Sequence, residues 1–174
     1  VEGIFTLSIF DSQSIDIPIS RIPVREMSTL GYDFLVPRGG TPLYDAIGTA
    51  VHDLSNFNYV DNEKKVLVIV TDGYENASRE YSSDAIKRLI EDKTKEGWLI
   101  IYLGADHDAF TQSRNMGFEL EKTLHYSKRD SRDAFKAVAT RTHTYYKGDR
   151  FDKNEFLEEE RRMANKKMYN YEEE

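Results

Sequence analysis

The chain has 174 residues, no cysteine, and 31 Asp and Glu against 24 Lys and Arg, a formal net charge of −7. That length gives one domain of ordinary size with room for a core, and the missing cysteine excludes disulfides, thiolate zinc sites and cysteine nucleophiles. The acidic balance, without a basic stripe interleaved with aromatics, argues against nucleic acid as a partner. No apolar run approaches the roughly 20 residues of a membrane helix, so no membrane partner and a cytoplasmic location are expected.

The chain starts at Val1 rather than Met and opens inside a strand pattern, as a fragment or a processed product would. Ile4 to Phe10 alternates apolar and small polar residues and predicts a strand, followed by Asp11-Ser12-Gln13-Ser14, whose composition is that of a turn. Ile15-Asp16-Ile17-Pro18-Ile19 alternates again, and its proline marks a short edge strand antiparallel to the first. Arg21 to Val36 reads as connecting loop, with Ile22, Val24, Met27 and Leu30 as scattered core contacts.

Gly39-Gly40-Thr41-Pro42 opens a helix predicted from Pro42 to about Asn56. Glycines allow a tight backbone, threonine is a good N-cap, and proline suits the first helical turn. Leu43, Ala46, Ile47, Ala50, Val51 and Leu54 recur at three- and four-residue steps, a stripe that faces a sheet. On these residues alone, Thr41 reads as a helix cap.

Val66-Leu67-Val68-Ile69-Val70 is an unbroken aliphatic run with no polar residue on either face, the pattern of a central strand covered by helices on both sides. It ends at Thr71-Asp72-Gly73-Tyr74-Glu75-Asn76. Ligands of open α/β sheets bind outside the carboxyl ends of strands, which makes Asp72 the candidate for metal binding or chemistry; Asp-Gly is also an ordinary turn pair. Ser82 or Ser83 starts a helix through Lys95 that buries Ala85, Ile86, Leu89 and Ile90, and Gly97 closes it. Trp98 to Leu103 is a second buried strand ending at Gly104-Ala105-Asp106, and the strand, helix, strand alternation calls for parallel pairing.

Asp108 to Met116 predicts a short helix, Glu121 to Tyr126 a weaker last strand, and Ser131 caps a helix running to about Tyr146 that stops at Gly148. Residues 149–174 are dominated by Glu, Lys, Arg, Asn and Tyr, and are expected to form a charged helical or disordered arm outside the core. Asp106-His107-Asp108 reads as a metal cluster or as a cap for the short helix, and Glu75 and Asn76 as a site rim or a solvated turn. The four histidines lack a two-histidine zinc spacing. Gly39-Gly40-Thr41 lacks the lysine of a phosphate loop.

Gly39-Gly40-Thr41-Pro42-Leu43-Tyr44-Asp45-Ala46-Ile47 followed by Val68-Ile69-Val70-Thr71-Asp72-Gly73-Tyr74-Glu75-Asn76 resembles the von Willebrand factor A (vWA) domain, especially its stand-alone bacterial and phage versions. The strand Ile4 to Phe10 with Asp11, the segment Tyr102 to Ala109 and the helix from Ser131 fit in the same order, so the resemblance spans about residues 3 to 148 of a vWA-like unit over 1–148. It implies an α/β fold: a three-layer, Rossmann-like sandwich on a mostly parallel sheet with one antiparallel edge strand. It also implies a metal-ion-dependent adhesion site, in which magnesium or manganese is held by Asp-x-Ser-x-Ser, a threonine from a second loop and an aspartate from a third. Carried over residue by residue, the threonine is Thr41 and the aspartate is Asp72. Hydroxyl and carboxylate oxygens suit such hard cations. An ion with few anionic ligands stays electrophilic and takes a carboxylate from a partner protein, which implies a protein-binding module and not an enzyme.

The family's Asp-x-Ser-x-Ser has no counterpart here. Asp11-Ser12-Gln13-Ser14 carries Gln13 where the first serine belongs and follows the family's second strand, not its first. The absent first strand would lie between Ile4–Phe10 and Val66–Val70. Three arrangements are expected from this: a preceding segment has been removed, another chain supplies the strand, or the two flanking strands close up. Two alternative functions accompany the binding module. One is a metal-dependent hydrolase using Asp72, with Asp11, Asp106 or Glu75 as base, and the other is a metal-free structural or assembly domain.

Overall fold

The computed structural model describes residues 2–31, 38–57, 63–105, 109–148 and 155–169. The aliphatic run forms strand β3 (Val66–Thr71), which pairs in parallel with β4 (Leu99–Gly104) from Val66 opposite Leu99 to Thr71 opposite Gly104. The crossover between them is the predicted helix, numbered α2 below (Ser83–Lys95), with the Ser82 hydroxyl accepting from the Ala85 N–H at 3.3 Å as its N-cap. A short strand, β5 (Thr123–His125), pairs in parallel with the other side of β4, giving the order β3-β4-β5.

Helices cover both faces of this sheet. Leu43, Ile47 and Val51 of α1 (Leu43–Ser55) and Ile86 and Ile90 of α2 pack on Ile69, Ile100 and Tyr102. On the opposite face, Leu99, Ile101, Leu103 and Leu124 meet Ala134, Ala137 and Val138 of α4 (Ser131–Lys147), the helix that follows the short α3 (Ala109–Asn115). Every residue of β4 is buried. Among the described residues, no helix is long and apolar enough to cross a membrane.

The first two strands depart from the expected single sheet. β1 (Ile4–Phe10) and β2 (Ile15–Pro23) pair antiparallel and form a two-stranded sheet of their own. β2 runs past the predicted Ile19, and Pro18 is tolerated because a proline without an N–H suits a strand whose outer side has no ladder among the described residues. Among the described residues no ladder joins β1 to β3, so the edge strand belongs to a separate hairpin. Helix α1 packs against both β1 and β3, and Phe10 joins the same core cluster as Leu43 and Ile47.

One consequence is that, among the described residues, β3 carries a central-strand sequence at an edge. Its Val66, Leu67 and Val68 are only half-buried, and Val70 is 38% exposed. An exposed apolar edge is a template for pairing with another chain. Sedimentation should therefore show association that grows with protein concentration. V70K, which places a charge on the exposed side of that edge, should suppress it while changing stability by less than about 0.5 kcal/mol.

The charged arm expected after residue 148 requires a correction over its described part. α5 (Glu158–Ala164) and α6 (Lys166–Tyr169) are helical, and Phe156 and Ala164 are buried in the cluster beneath α4. The Phe156 N–H donates to the Glu121 carbonyl at 2.8 Å, and the Ser127 N–H donates to the Ala164 carbonyl at 2.9 Å. Arg161 donates to the carbonyls of Thr123 (2.7 Å) and Leu120 (2.8 Å), and Arg141 pairs with Glu160 at 2.7 Å with both side chains largely buried. These charges find partners on the core, so the composition that suggested a solvated arm instead docks one. Phe156→Ala should cost about 3 kcal/mol in urea unfolding; an unchanged midpoint would show that the arm is peripheral.

Candidate functional site

Three loops meet around the start of α1. In the first, Asp11 is buried, and its Oδ1 accepts from the Gln13 and Ser14 N–H groups at 2.7 and 3.2 Å while Oδ2 accepts from Arg38 Nε at 2.8 Å. The Gln13 N–H leads in holding this carboxyl below the usual carboxylate range, against the opposing effect of burial. Asp11 thus closes its own turn and anchors the second loop. The Ser12 hydroxyl accepts from the Gly40 N–H at 3.0 Å, and Gly39 beside it has φ +66°, a conformation that favours glycine.

The second and third loops are laced together. The Thr41 N–H donates to Asn76 Oδ1 at 2.8 Å, and the Asn76 N–H returns a bond to the Thr41 carbonyl at 3.2 Å. Glu75 accepts from the N–H groups of Ala77 (2.9 Å), Ser78 (2.8 Å) and Tyr44 (2.9 Å) and from the Ser78 hydroxyl (2.7 Å). In the other direction, Asp45 in the first turn of α1 accepts from the N–H groups of Arg79 (2.8 Å), Glu80 (3.0 Å) and Tyr81 (2.9 Å).

The expected cap therefore changes hands. The N-cap residue of α1 is Pro42, with no side-chain cap of its own, and the Thr41 side chain does not cap the helix. The first-turn donors Tyr44 N–H and Asp45 N–H are met instead by Glu75 and by the Ser78 hydroxyl, at 2.9 and 3.2 Å. A carboxylate is better placed there than a hydroxyl, since the helix N-terminus carries partial positive charge.

This lacing sets Thr41 beside the end of β3. A Cβ on Gly73 would stand 2.8 Å from Thr41 Oγ1, so the hydroxyl lies against the residue that follows Asp72. Among the described residues, the Thr41 hydroxyl takes part in no hydrogen bond. Asp72 itself is exposed, and its Oδ2 accepts from Lys128 Nζ at 2.7 Å; that hydrogen bond holds its carboxyl below the usual range. Lys128 comes from the turn after β5 and is 56 positions away in sequence. Nothing local to Tyr126-Ser127-Lys128 signals this, because the approach exists only once β3, β4 and β5 stand side by side.

Two spaces adjoin these residues. A cleft of about 330 Å³ is lined by Tyr44, Tyr74, Glu75, Thr111, Gln112 and Asn115. Between the ends of β3 and β4 is a cavity of about 10 Å³, the size of one water, lined by Thr71, Asp72, Gly73, Tyr102, Gly104, Ala105 and Gln112. Among the described residues, the buried Gln112 Nε2 has no hydrogen-bond partner. The Asp106-His107-Asp108 segment lies outside the described residues. His125 is buried beside Asn165 with ring-edge packing on Phe110, and no group of three acidic or histidine side chains suited to a metal occurs among the described residues.

Magnesium and manganese take hard oxygen donors. The Thr41 hydroxyl and the Asp72 carboxylate are of that kind, and as two groups they leave most of an octahedral shell to water or to another molecule. Comparison of the chain with protein-family models, with curated proteins and with solved structures finds no match.

The carboxyl of Asp45 supplies a pH test of this architecture. Burial raises it, but the N–H groups of Arg79, Tyr81 and Glu80 outweigh burial and hold it below its ordinary value. A depressed carboxyl stabilises the fold above its unfolded value, and that contribution is lost as pH falls through the folded one. Stability should therefore drop on acidification below about pH 4, with a shallower drop in Asp45→Asn. Asp45→Ala, which strands three backbone donors, should cost about 2 kcal/mol at neutral pH.

Proposed function

We propose that the chain is a protein-binding module of the vWA type whose contact surface is the carboxyl end of β3. Thr41 and Asp72 would contribute oxygens to a magnesium or manganese ion, which would leave positions open for a carboxylate from a partner protein. The observation that carries this reading is the reciprocal bonding of Thr41 with Asn76, which presses the threonine hydroxyl against the backbone next to Asp72. The residue pattern from Gly39 to Ile47 and from Val68 to Asn76 supports it independently.

A bound ion supplies electrophilic charge at the rim. The chain's own residues do the rest: Asn76 orients Thr41, Glu75 and Asp45 clamp the two loops, and Asp72 offers an exposed carboxylate at the strand end. A hydrolase reading has less support, because two of its candidate bases are already engaged. Asp11 is held by two N–H groups and Arg38, and Glu75 accepts four hydrogen bonds. The metal-free assembly domain is the second reading, and what favours it is the Lys128 ammonium already seated on Asp72.

Calorimetric titration of magnesium into the chain, Asp72→Ala and Thr41→Val tests the proposal. The expected result is weak binding, with dissociation constants in roughly the millimolar range for so few protein ligands, weakened in Thr41→Val and abolished in Asp72→Ala. Equal binding by all three proteins would overturn it.

A further inference from the structure

The turn that follows β5 is built more firmly than an exposed loop requires. The Tyr126 N–H donates to the Gly104 carbonyl at 3.0 Å, tying the turn to the end of β4, and the Ser127 N–H donates to the Ala164 carbonyl at 2.9 Å, tying it to α5. Ser127 Oγ donates to Asp130 Oδ2 at 2.7 Å and accepts from the Asp130 N–H at 3.2 Å. Asp130 in turn accepts from the Lys166 N–H at 3.2 Å and pairs with Lys166 Nζ at 3.5 Å. The one-turn segment Lys128–Asp130 is thus clamped between the sheet and the two C-terminal helices, and from it Lys128 reaches past the end of β4 to Asp72.

We infer that Lys128 is a built-in competitor for the cation position at Asp72, presented by a turn that the C-terminal helices hold in place. This rests on the reading above that Asp72 is a cation ligand. The Lys128 side chain is 74% exposed and the Asp72 side chain 62%, so neither contributes the packing that would make their pair a structural element. The ammonium lies 2.7 Å from one carboxylate oxygen, on lone pairs that a metal ion would also use. A dication approaching that carboxylate meets a positive charge at close range. A lysine head on a flexible stem swings aside where a rigid group would not. Cation binding at Asp72 therefore requires Lys128 to leave, and the affinity of the site is set in part from the far side of β4.

The test follows manganese by paramagnetic broadening of the Asp72, Gly73 and Tyr74 backbone amides, at one ionic strength, in the wild type, K128Q, K128R and D72N. K128Q should bind manganese roughly fivefold more tightly than the wild type, the yield of removing an exposed ion pair. K128R should stay within about twofold of the wild type, and D72N should lose the broadening. Equal affinities of K128Q and the wild type, with D72N still losing the effect, would overturn the competitor and leave the cation reading standing. Tightening by K128R as large as that by K128Q would also overturn it, since charge would then not be the cause. Absence of broadening in every variant, K128Q included, would overturn both.

Discussion

The first turn of an α-helix exposes backbone N–H groups that nothing inside the helix can accept. In α1 these donors are met from a loop that follows a different strand: Glu75 takes the Tyr44 N–H and the Ser78 hydroxyl takes the Asp45 N–H. Asp45 answers by accepting three N–H groups from residues 79–81. The exchange fixes the distance between the two loops on which Thr41 and Asp72 stand. Without it, a threonine before a helix and the glycine that follows Asp72 would have no reason to be neighbours.

The acidic residues of this region then separate by what they hold. Asp11, Asp45 and Glu75 each accept three or more hydrogen bonds, mostly from backbone N–H groups, and their charge is consumed in shaping loops. Asp72 has a different kind of partner, the ammonium of an exposed lysine. A carboxylate committed to backbone donors cannot change ligands without unmaking the fold, whereas one held by an exposed lysine can. That contrast, more than sequence position, marks Asp72 as the group available to something outside the chain.

Much of the parallel sheet was legible because its signals are local. The runs Val66–Val70 and Leu99–Leu103 and the capped helix between them each follow from a few consecutive residues. The cap of α1 was misread for the same reason: Gly39-Gly40-Thr41-Pro42 obeys the local rule, and a loop more than thirty residues later overrides it. Residues 155–169 look solvated by composition, yet Arg161 and Glu160 find a carbonyl row and a buried guanidinium that no count of charges reveals. Lys128 was invisible because its partner is set by strand order alone. At the candidate site, Asp72 stands out by its place at the end of an aliphatic strand and Thr41 by resemblance, and no pattern in the residues speaks for Asn76 as the link to the Thr41 loop.

The separate β1-β2 hairpin has a meaning for how the molecule opens. Its ladder is closed by a short connection, while β3 and β4 are joined across a whole helix, so the hairpin is a cooperative unit of its own. It is tied to the rest through Phe10, the Asp11–Arg38 and Ser12–Gly40 bonds and the Arg21–Asp53 pair, and by no shared ladder among the described residues. A sub-global opening that lifts this unit would break the Asp11–Arg38 and Ser12–Gly40 bonds and leave the Thr41–Asn76 lacing and the end of β3 in place on the larger sheet. The hairpin can thus open as a flap while the lacing that holds Thr41 beside the end of β3 stays closed.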